Sequence, residues 1–286
     1  MPSALRDAAS LFKLGILIPN VLAALSAYWM ARSAAVGDAA SSSSLAGAAS
    51  LAAGSALTIG GACAFNNCLD RDIDARMERT RNRPLASGRL GLASAVFLAS
   101  SASIAGILIL AHSSPLSALL GIAGSLIYLL PYTLWLKRRS TLAPIVGALS
   151  GSTPPLLGWA MATGHLSPTA WALFWTIGLW QQAHVIVLSL RRSEDLRRGG
   201  LPSPAPKLGG KGMKIILTLV VALLSAPLWL ATGASRLVGL SAALSAPWLA
   251  FCWLPPDGGS LAWAHRMYLA SLAWILVFIL AAPMFV

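Results

Sequence analysis

Long apolar runs, each near the length of a membrane-crossing helix, alternate with short polar or basic segments along nearly the whole chain. The pattern predicts nine helices, at about 14–31, 45–66, 91–111, 115–135, 142–162, 168–189, 213–231, 236–254 and 263–283. About 20 apolar residues in a helix cross the hydrocarbon core of a bilayer, so each run can span. The short alternating segments of a membrane β-barrel are absent from the sequence. The expected fold is therefore all-α, a polytopic membrane protein built as one bundle of nine transmembrane helices forming a single domain over 1–286. Ser41–Ser44 reads as a flexible connector after the first helix. Trp29, Trp135, Trp159, Trp253 and Trp263 fall near predicted span ends, where an interfacial aromatic belt is the simplest expectation.

Composition agrees with this pattern. The 286 residues are 57% hydrophobic and only 10% charged, and the mean hydropathy of +0.72 excludes a soluble domain. A net charge of +12 raises the question of nucleic acid. The placement of the charge answers it. Of the 21 Lys and Arg residues, only Arg32 and Arg236 fall in the loops after helices one, three, five and seven. All the others lie on the side of the N-terminus and the remaining loops. That bias orients the chain with its N-terminus cytoplasmic and its C-terminus outside, and no nucleic acid is expected. Arg6 and Lys13 before an apolar run resemble a signal peptide, and the small residues around Ala31–Ala35 could pass for a cleavage site. The topology of the later helices calls instead for an uncleaved first span. Cys63, Cys68 and Cys252 form no C-x-x-C pair and read as thiols without a bridge.

Acidic residues are scarce, yet three of the nine occupy five positions, Asp70, Asp72 and Asp74, directly after an apolar span. Asn66, Asp70 and Asp74 recur every four residues and so share one helix face, while Asp72 points elsewhere. Two carboxylates and an amide oxygen in a row offer hard oxygen ligands suited to Mg²⁺. The alternative is a solvated helix end with Asp–Arg pairs. A carboxylate at the membrane centre costs about 2.5–3.5 kcal/mol, which favours function over accident. Arg76, Arg79, Arg81, Arg83 and Arg89 follow, and guanidinium forks match phosphate oxygens. Lys137, Arg138 and Arg139, after Tyr128 and Tyr132, form a second basic group on the same side. A third constellation is Trp180-Gln181-Gln182-Ala183-His184 followed by Asp195, eleven residues and three helical turns after His184. Both the second and the sixth spans thus run into charged loops that begin with carboxylates.

The N-x-x-x-D-x-x-x-D motif after the second helix resembles the UbiA superfamily of intramembrane prenyltransferases. Asp70–Leu85 (DRDIDARMERTRNRPL), Tyr132–Ser140 (YTLWLKRRS), Gly151–Trp159 (GSTPPLLGW) and Trp180–His184 are similar to its protoheme IX farnesyltransferase, or heme O synthase, branch. The resemblance implies a metal–diphosphate motif at Asn66, Asp70 and Asp74 and a second acidic site at Asp195. Asp70, Asp74 and Asp195 are the metal ligands it suggests, for Mg²⁺. Basic residues for the diphosphate fall on Arg79, Arg81 and Arg83, and a Tyr/Lys element on Tyr132 and Lys137. Beside that carry-over, His184, a histidine inside a span, is read as a contact of heme, as iron ligand or propionate partner. The implied reaction transfers a farnesyl group from farnesyl diphosphate to a vinyl group of heme b. Its implied setting is the inner cell membrane, amid membrane lipid, with the active site at the cytoplasmic face, and with heme A synthase or terminal oxidase assembly as partners. The chain departs from the branch at Ala183, where Pro is common, at Leu196, where an aromatic is common, and after Pro202. Many superfamily relatives carry an Asp where Gly199 stands, whereas the heme branch commonly lacks it.

Three rival readings follow from the same residues. A prenyltransferase with an aromatic or quinone-precursor acceptor would share the diphosphate site. A secondary transporter would use intramembrane acids for coupling ions, although these acids cluster at one face beside arginines. A heme-handling assembly protein would bind heme without chemistry.

Overall fold

The computed structural model describes residues 3–36, 42–203, 205–254 and 259–286. A short helix α1 (Ser3–Leu11) precedes α2 (Leu14–Val36) and α3 (Ser42–Leu69), and a single turn, α4 (Arg71–Asp74), continues from α3. Then come α5 (Leu92–Ser113) and α6 (Pro115–Ile127), which passes directly into a π-helical segment, Tyr128–Leu136. The second half holds α7 (Ala143–Gly151), α8 (Thr153–Thr163), α9 (Pro168–Arg191), α10 (Ser193–Gly199), α11 (Ala205–Ala222), α12 (Ala226–Thr232), α13 (Arg236–Trp253) and α14 (Leu261–Ala281). Among the described residues, eight helical stretches are long and apolar enough to cross a membrane. The protein is an all-helical, polytopic membrane protein.

The continuous helix predicted over 142–162 is instead two shorter ones, α7 and α8, meeting at Ser152. The cause is local. Pro154 and Pro155 carry no amide hydrogen, so the carbonyls four residues earlier lose their helical donors. The hydroxyl of Thr153 donates to the Ser150 carbonyl at 2.8 Å and supplies one replacement. The serine tract also differs from expectation. Ser42–Ser44 open α3, while Ser41 lies outside the described residues.

Helices of a bilayer protein pack through close backbone approach more than through hydrophobic contrast. Here α3 and α5 meet at glycines. A Cβ on Gly106 would lie 2.5 Å from the Thr58 amide nitrogen and 2.7 Å from the Gly54 carbonyl oxygen. The contact of α2 with α8 is tighter, since a Cβ on Gly158 would lie 1.9 Å from the Ala24 carbonyl oxygen. The largest fully buried side chains, Trp248, Trp263, Trp274 and Phe278, belong to one apolar cluster that the second-half helices build together with Ala23, Ala27 and Met30 of α2. Trp159 and Trp263, expected in the interfacial belt, are therefore core residues, and the Trp263 indole donates to the Cys252 carbonyl at 3.1 Å. Trp135 and Trp253 are exposed, as a belt requires.

Gly158→Ala should destabilise the bundle by about 1–3 kcal/mol or more, because backbone must move to admit the methyl group. Gly239→Ala, at a position with open space around it, should leave the thermal unfolding midpoint in detergent unchanged or raise it. Equal stability of the two variants would contradict this packing.

Candidate active site

The acidic segment forms where α3 leaves the bundle. Helical hydrogen bonding runs through the bend at Asp70: its amide donates to the Asn66 carbonyl at 2.9 Å, and the Asp74 amide donates to the Asp70 carbonyl at 2.8 Å. Asn66, Asp70 and Asp74 are consequently stacked on one face, and all three are buried. Asp72 turns outward, as its register predicts. Arg138 grips both of its oxygens, at 2.8 and 2.9 Å, and holds its carboxyl below the ordinary range.

Each buried carboxylate is met by a cation. The Asp70 Oδ2 accepts from the Asn66 amide at 2.9 Å and from the Lys137 ammonium. The Asp74 Oδ2 accepts from Arg83 at 2.6 Å, and the same Arg83 nitrogen reaches the Asn67 Oδ1 at 3.2 Å. Lys137 is delivered by the π-helical segment, which brings the Lys137 amide onto the Tyr132 carbonyl, five residues back, at 2.8 Å. Pro131, which lacks an amide hydrogen, stands inside this segment. Thr133, on the same segment, accepts from the Asn66 amide at 2.9 Å and donates to the Tyr128 carbonyl at 2.7 Å. Tyr132 lies one step away: its ring stacks on Tyr128 at 5.6 Å and abuts Gly147 of α7.

Lys13 belongs to this site although its position in the sequence gave no reason to include it. It joins α1 to α2 in the left-handed region, at φ 50°, a conformation that costs a side-chain-bearing residue about 1 kcal/mol or more. Its ammonium donates to the Asn66 Oδ1. An ammonium can only donate, so this contact fixes the amide with its NH₂ toward Asp70 and Thr133. Burial lowers the Lys13 pKa to about 8.

The second acidic loop closes over the first. The Asp195 Oδ1 on α10 accepts the Glu78 backbone amide at 2.9 Å, and Arg198 lies 3.6 Å from the Glu78 carboxylate. Gly199 allows this seating, because a Cβ there would come within 3.2 Å of Ile73 and Met77. Arg79 retains solvent contact, yet surrounding protein desolvates it and lowers its pKa, while Asp74 and Asp195 both draw on its charge. Arg192, at the end of α9, faces Arg79, Arg83 and Arg191, and burial lowers its pKa to about 10. Neither Arg191 nor Arg192 was singled out from sequence, where the pair reads as ordinary topology charge. Arg81 turns away and pairs with Glu78 at 2.5 Å, both being exposed. His184 sits about two turns before the end of α9, packed against α14.

The three carboxylates expected to share one ion do not converge. Among the described residues, no three His, Cys, Asp or Glu side chains gather closely enough to hold a metal. Lys137 and Arg83 occupy Asp70 and Asp74, and Asp195 is engaged by a backbone amide. The donor set nonetheless suits Mg²⁺, which needs only one or two carboxylates when phosphate oxygens and water complete its shell. The Asp70 Oδ1 is buried without a hydrogen-bond partner, the Arg138 guanidinium lying 4.0 Å away. It is a carboxylate-type oxygen of the kind a hard cation takes. The whole arrangement can take up a polyanion: cations from three separate segments, Lys13, Arg79 with Arg83, and Lys137, stand about two buried acids, and Arg192 stands against Arg79 and Arg83.

Residues 20–273 match the UbiA prenyltransferase family. The chain is 31% identical to protoheme IX farnesyltransferase 2 of Bacillus velezensis, over 99% of this chain and 93% of that protein. It is 30% identical to protoheme IX farnesyltransferase 2 of Bacillus subtilis, over 98% and 92%. Solved structures share the fold. A digeranylgeranylglyceryl phosphate synthase aligns with a TM-score of 0.74 at 17% identity, covering 98% of this chain and 99% of that one. A UbiA homolog from Archaeoglobus fulgidus, bound to DMAPP and Mg²⁺, aligns with a TM-score of 0.72 at 15% identity, covering 97% and 99%.

Arg83→Ala should lower stability by about 3–5 kcal/mol, since it strands Asp74 in a buried position. Arg83→Ala combined with Asp74→Ala should recover part of that loss. Thermal unfolding of both variants in detergent checks this, and a single variant as stable as wild type would overturn the pairing.

Proposed function

The chain belongs to the UbiA prenyltransferase family and is a prenyltransferase; from that premise we propose that it moves a farnesyl group from farnesyl diphosphate onto a vinyl group of heme b, giving heme O. The observation that carries this reading is the burial of Asp70 and Asp74 among cations from three segments, with Arg192 beside them. The acceptor is supported by the near-full-length similarity to two protoheme IX farnesyltransferases.

The isoprenoid tail lies between helices, with the diphosphate at the cytoplasmic mouth. Arg79, Arg83, Lys137 and Arg192 bind its oxygens, Lys137 and Arg83 turning to it from Asp70 and Asp74, and positive charge already gathered at the mouth opposes the charge of the leaving group. Asp70 and Asp74 would hold Mg²⁺, which neutralises the diphosphate when bound, with Asp195 as a separate anionic point across Arg79. As the allylic C–O bond breaks, its electron pair leaves with the diphosphate, and the arginines and lysines stabilise that growing charge. The heme vinyl group then forms the new C–C bond. Water adds to the resulting cation as hydroxyl and releases a proton, so the sum is heme b, farnesyl diphosphate and water giving heme O, diphosphate and a proton. No side-chain nucleophile is required. Lys13 and Thr133 act on Asn66, and through it on Asp70, as positioning residues. His184 contacts the heme.

Asp70→Ala and Asp74→Ala should each lower heme O formation by about 10²-fold or more, the scale of losing one fixed electrostatic element of a transition state, while the protein still inserts. The check is mass spectrometry of hemes from membranes supplied with farnesyl diphosphate, heme b and Mg²⁺. Near-normal product from either variant would defeat the site assignment. Prenylation of a hydroxybenzoate in preference to heme b by the wild type would defeat the acceptor assignment.

A further inference from the structure

His184 is held by more groups than a packing histidine needs. Its Nδ1 lies 2.8 Å from the hydroxyl of Ser271 on α14, and Ser271 is fully buried. That hydroxyl also lies 2.6 Å from the Tyr268 carbonyl oxygen. Two oxygens this close need a hydrogen between them, and a carbonyl has none, so the single Ser271 proton is spent there. Toward His184 the hydroxyl can then only accept. The imidazole must therefore carry its hydrogen on Nδ1, which leaves Nε2 with a bare lone pair.

The ring plane is fixed as well as the tautomer. Trp180 stacks on the imidazole with centroids 5.1 Å apart, and Tyr268 packs on it at 5.2 Å. The Trp180 indole donates to the Ser271 carbonyl at 2.8 Å, tying the same helix pair together once more. Nε2 has no hydrogen-bond partner among the described residues and is not a sealed buried atom. Two turns farther along α9, the Arg191 guanidinium lies 4.1 Å from the Tyr268 ring centroid, with Arg192 beside it. The basic end of this ladder complements a ligand with carboxylate arms.

A histidine that donates one ring N–H to a fixed acceptor while presenting the other nitrogen has the architecture of a metal ligand. The partner of the first nitrogen sets ring orientation and raises the basicity of the second. We propose that Ser271 is a positioning residue that locks His184 to bind the iron of the tetrapyrrole acceptor through Nε2. The inference rests on heme b being the acceptor. It selects iron ligation over a propionate contact, because the imidazole's only N–H is already given to Ser271.

The test uses the purified full-length protein in detergent with protoheme as the probe. The reduced complex should show an iron–histidine stretching band by resonance Raman spectroscopy, and His184→Ala should abolish it. Ser271→Ala should move that band to lower frequency and reduce heme O formation by about 10-fold or more. Ser271→Thr, which keeps the hydroxyl, should restore both toward wild type. Thermal unfolding of each variant separates a failed fold from a changed ligand, since a stably folded Ser271→Ala protein must still show the shift. A wild-type complex lacking the band, a band that survives His184→Ala, or a band and rate unmoved in Ser271→Ala would each overturn the proposal. Heme O formation by a wild type without the band would sink this inference alone, whereas absence of any heme product from wild type would sink the functional reading beneath it.

Discussion

Two carboxylates buried at the end of a membrane helix cannot stand without opposing charge, and much of this end of the bundle is organised by that requirement. An isolated ion there would carry a desolvation penalty of several kcal/mol. Asp70 meets Lys137, Asp74 meets Arg83, and Asn66 is oriented by Lys13 and Thr133. The cations come from different parts of the chain, so satisfying the acids also draws α2, α3, the loop after α4 and the π-helical segment to one place. The same charges that permit burial of the acids make the mouth attractive to a polyanion. Structure and chemistry share one electrostatic solution.

The bundle supplies the rigidity this solution needs. Backbone-to-backbone contact at Gly106 and Gly158 leaves little freedom for α3 against α5, or for α2 against α8. The departures from regular helix are placed where side chains must be re-aimed. The π-helical segment carries Thr133 and Lys137 to the acids. The break at Ser152 lets a second piece of helix start against α2, and Gly151 just before it leaves room for the Gln181 side chain of α9.

Much of this was legible in the residues. The spacing of Asn66, Asp70 and Asp74 gave their common face, and the same register turned Asp72 outward to Arg138. Apolar run length gave the helical class, but it could not show that two prolines split 142–162. Position near a span end misassigned Trp159 and Trp263, because depth in a membrane and burial in a bundle leave the same apolar pattern. Lys13 and Arg192 were invisible as site residues, since a single basic residue beside a span is indistinguishable from topology charge until the fold brings it to an acid or to another arginine. Local periodicity likewise could not reveal that Asp195 is held by the Glu78 amide, apart from Asp70 and Asp74.

On this mechanism the two buried acids take a divalent cation together with a diphosphate. Mn²⁺ is a paramagnetic substitute for Mg²⁺, and a non-hydrolysable thio analogue of farnesyl diphosphate keeps the complex intact. Electron paramagnetic resonance of the purified protein should show stoichiometric Mn²⁺ capture when the analogue is present, with ³¹P coupling to the metal. That capture should be lost in Asp70→Asn. Mn²⁺ capture that ignores the analogue, or that survives Asp70→Asn and Asp74→Asn combined, would show that these acids do not hold the metal.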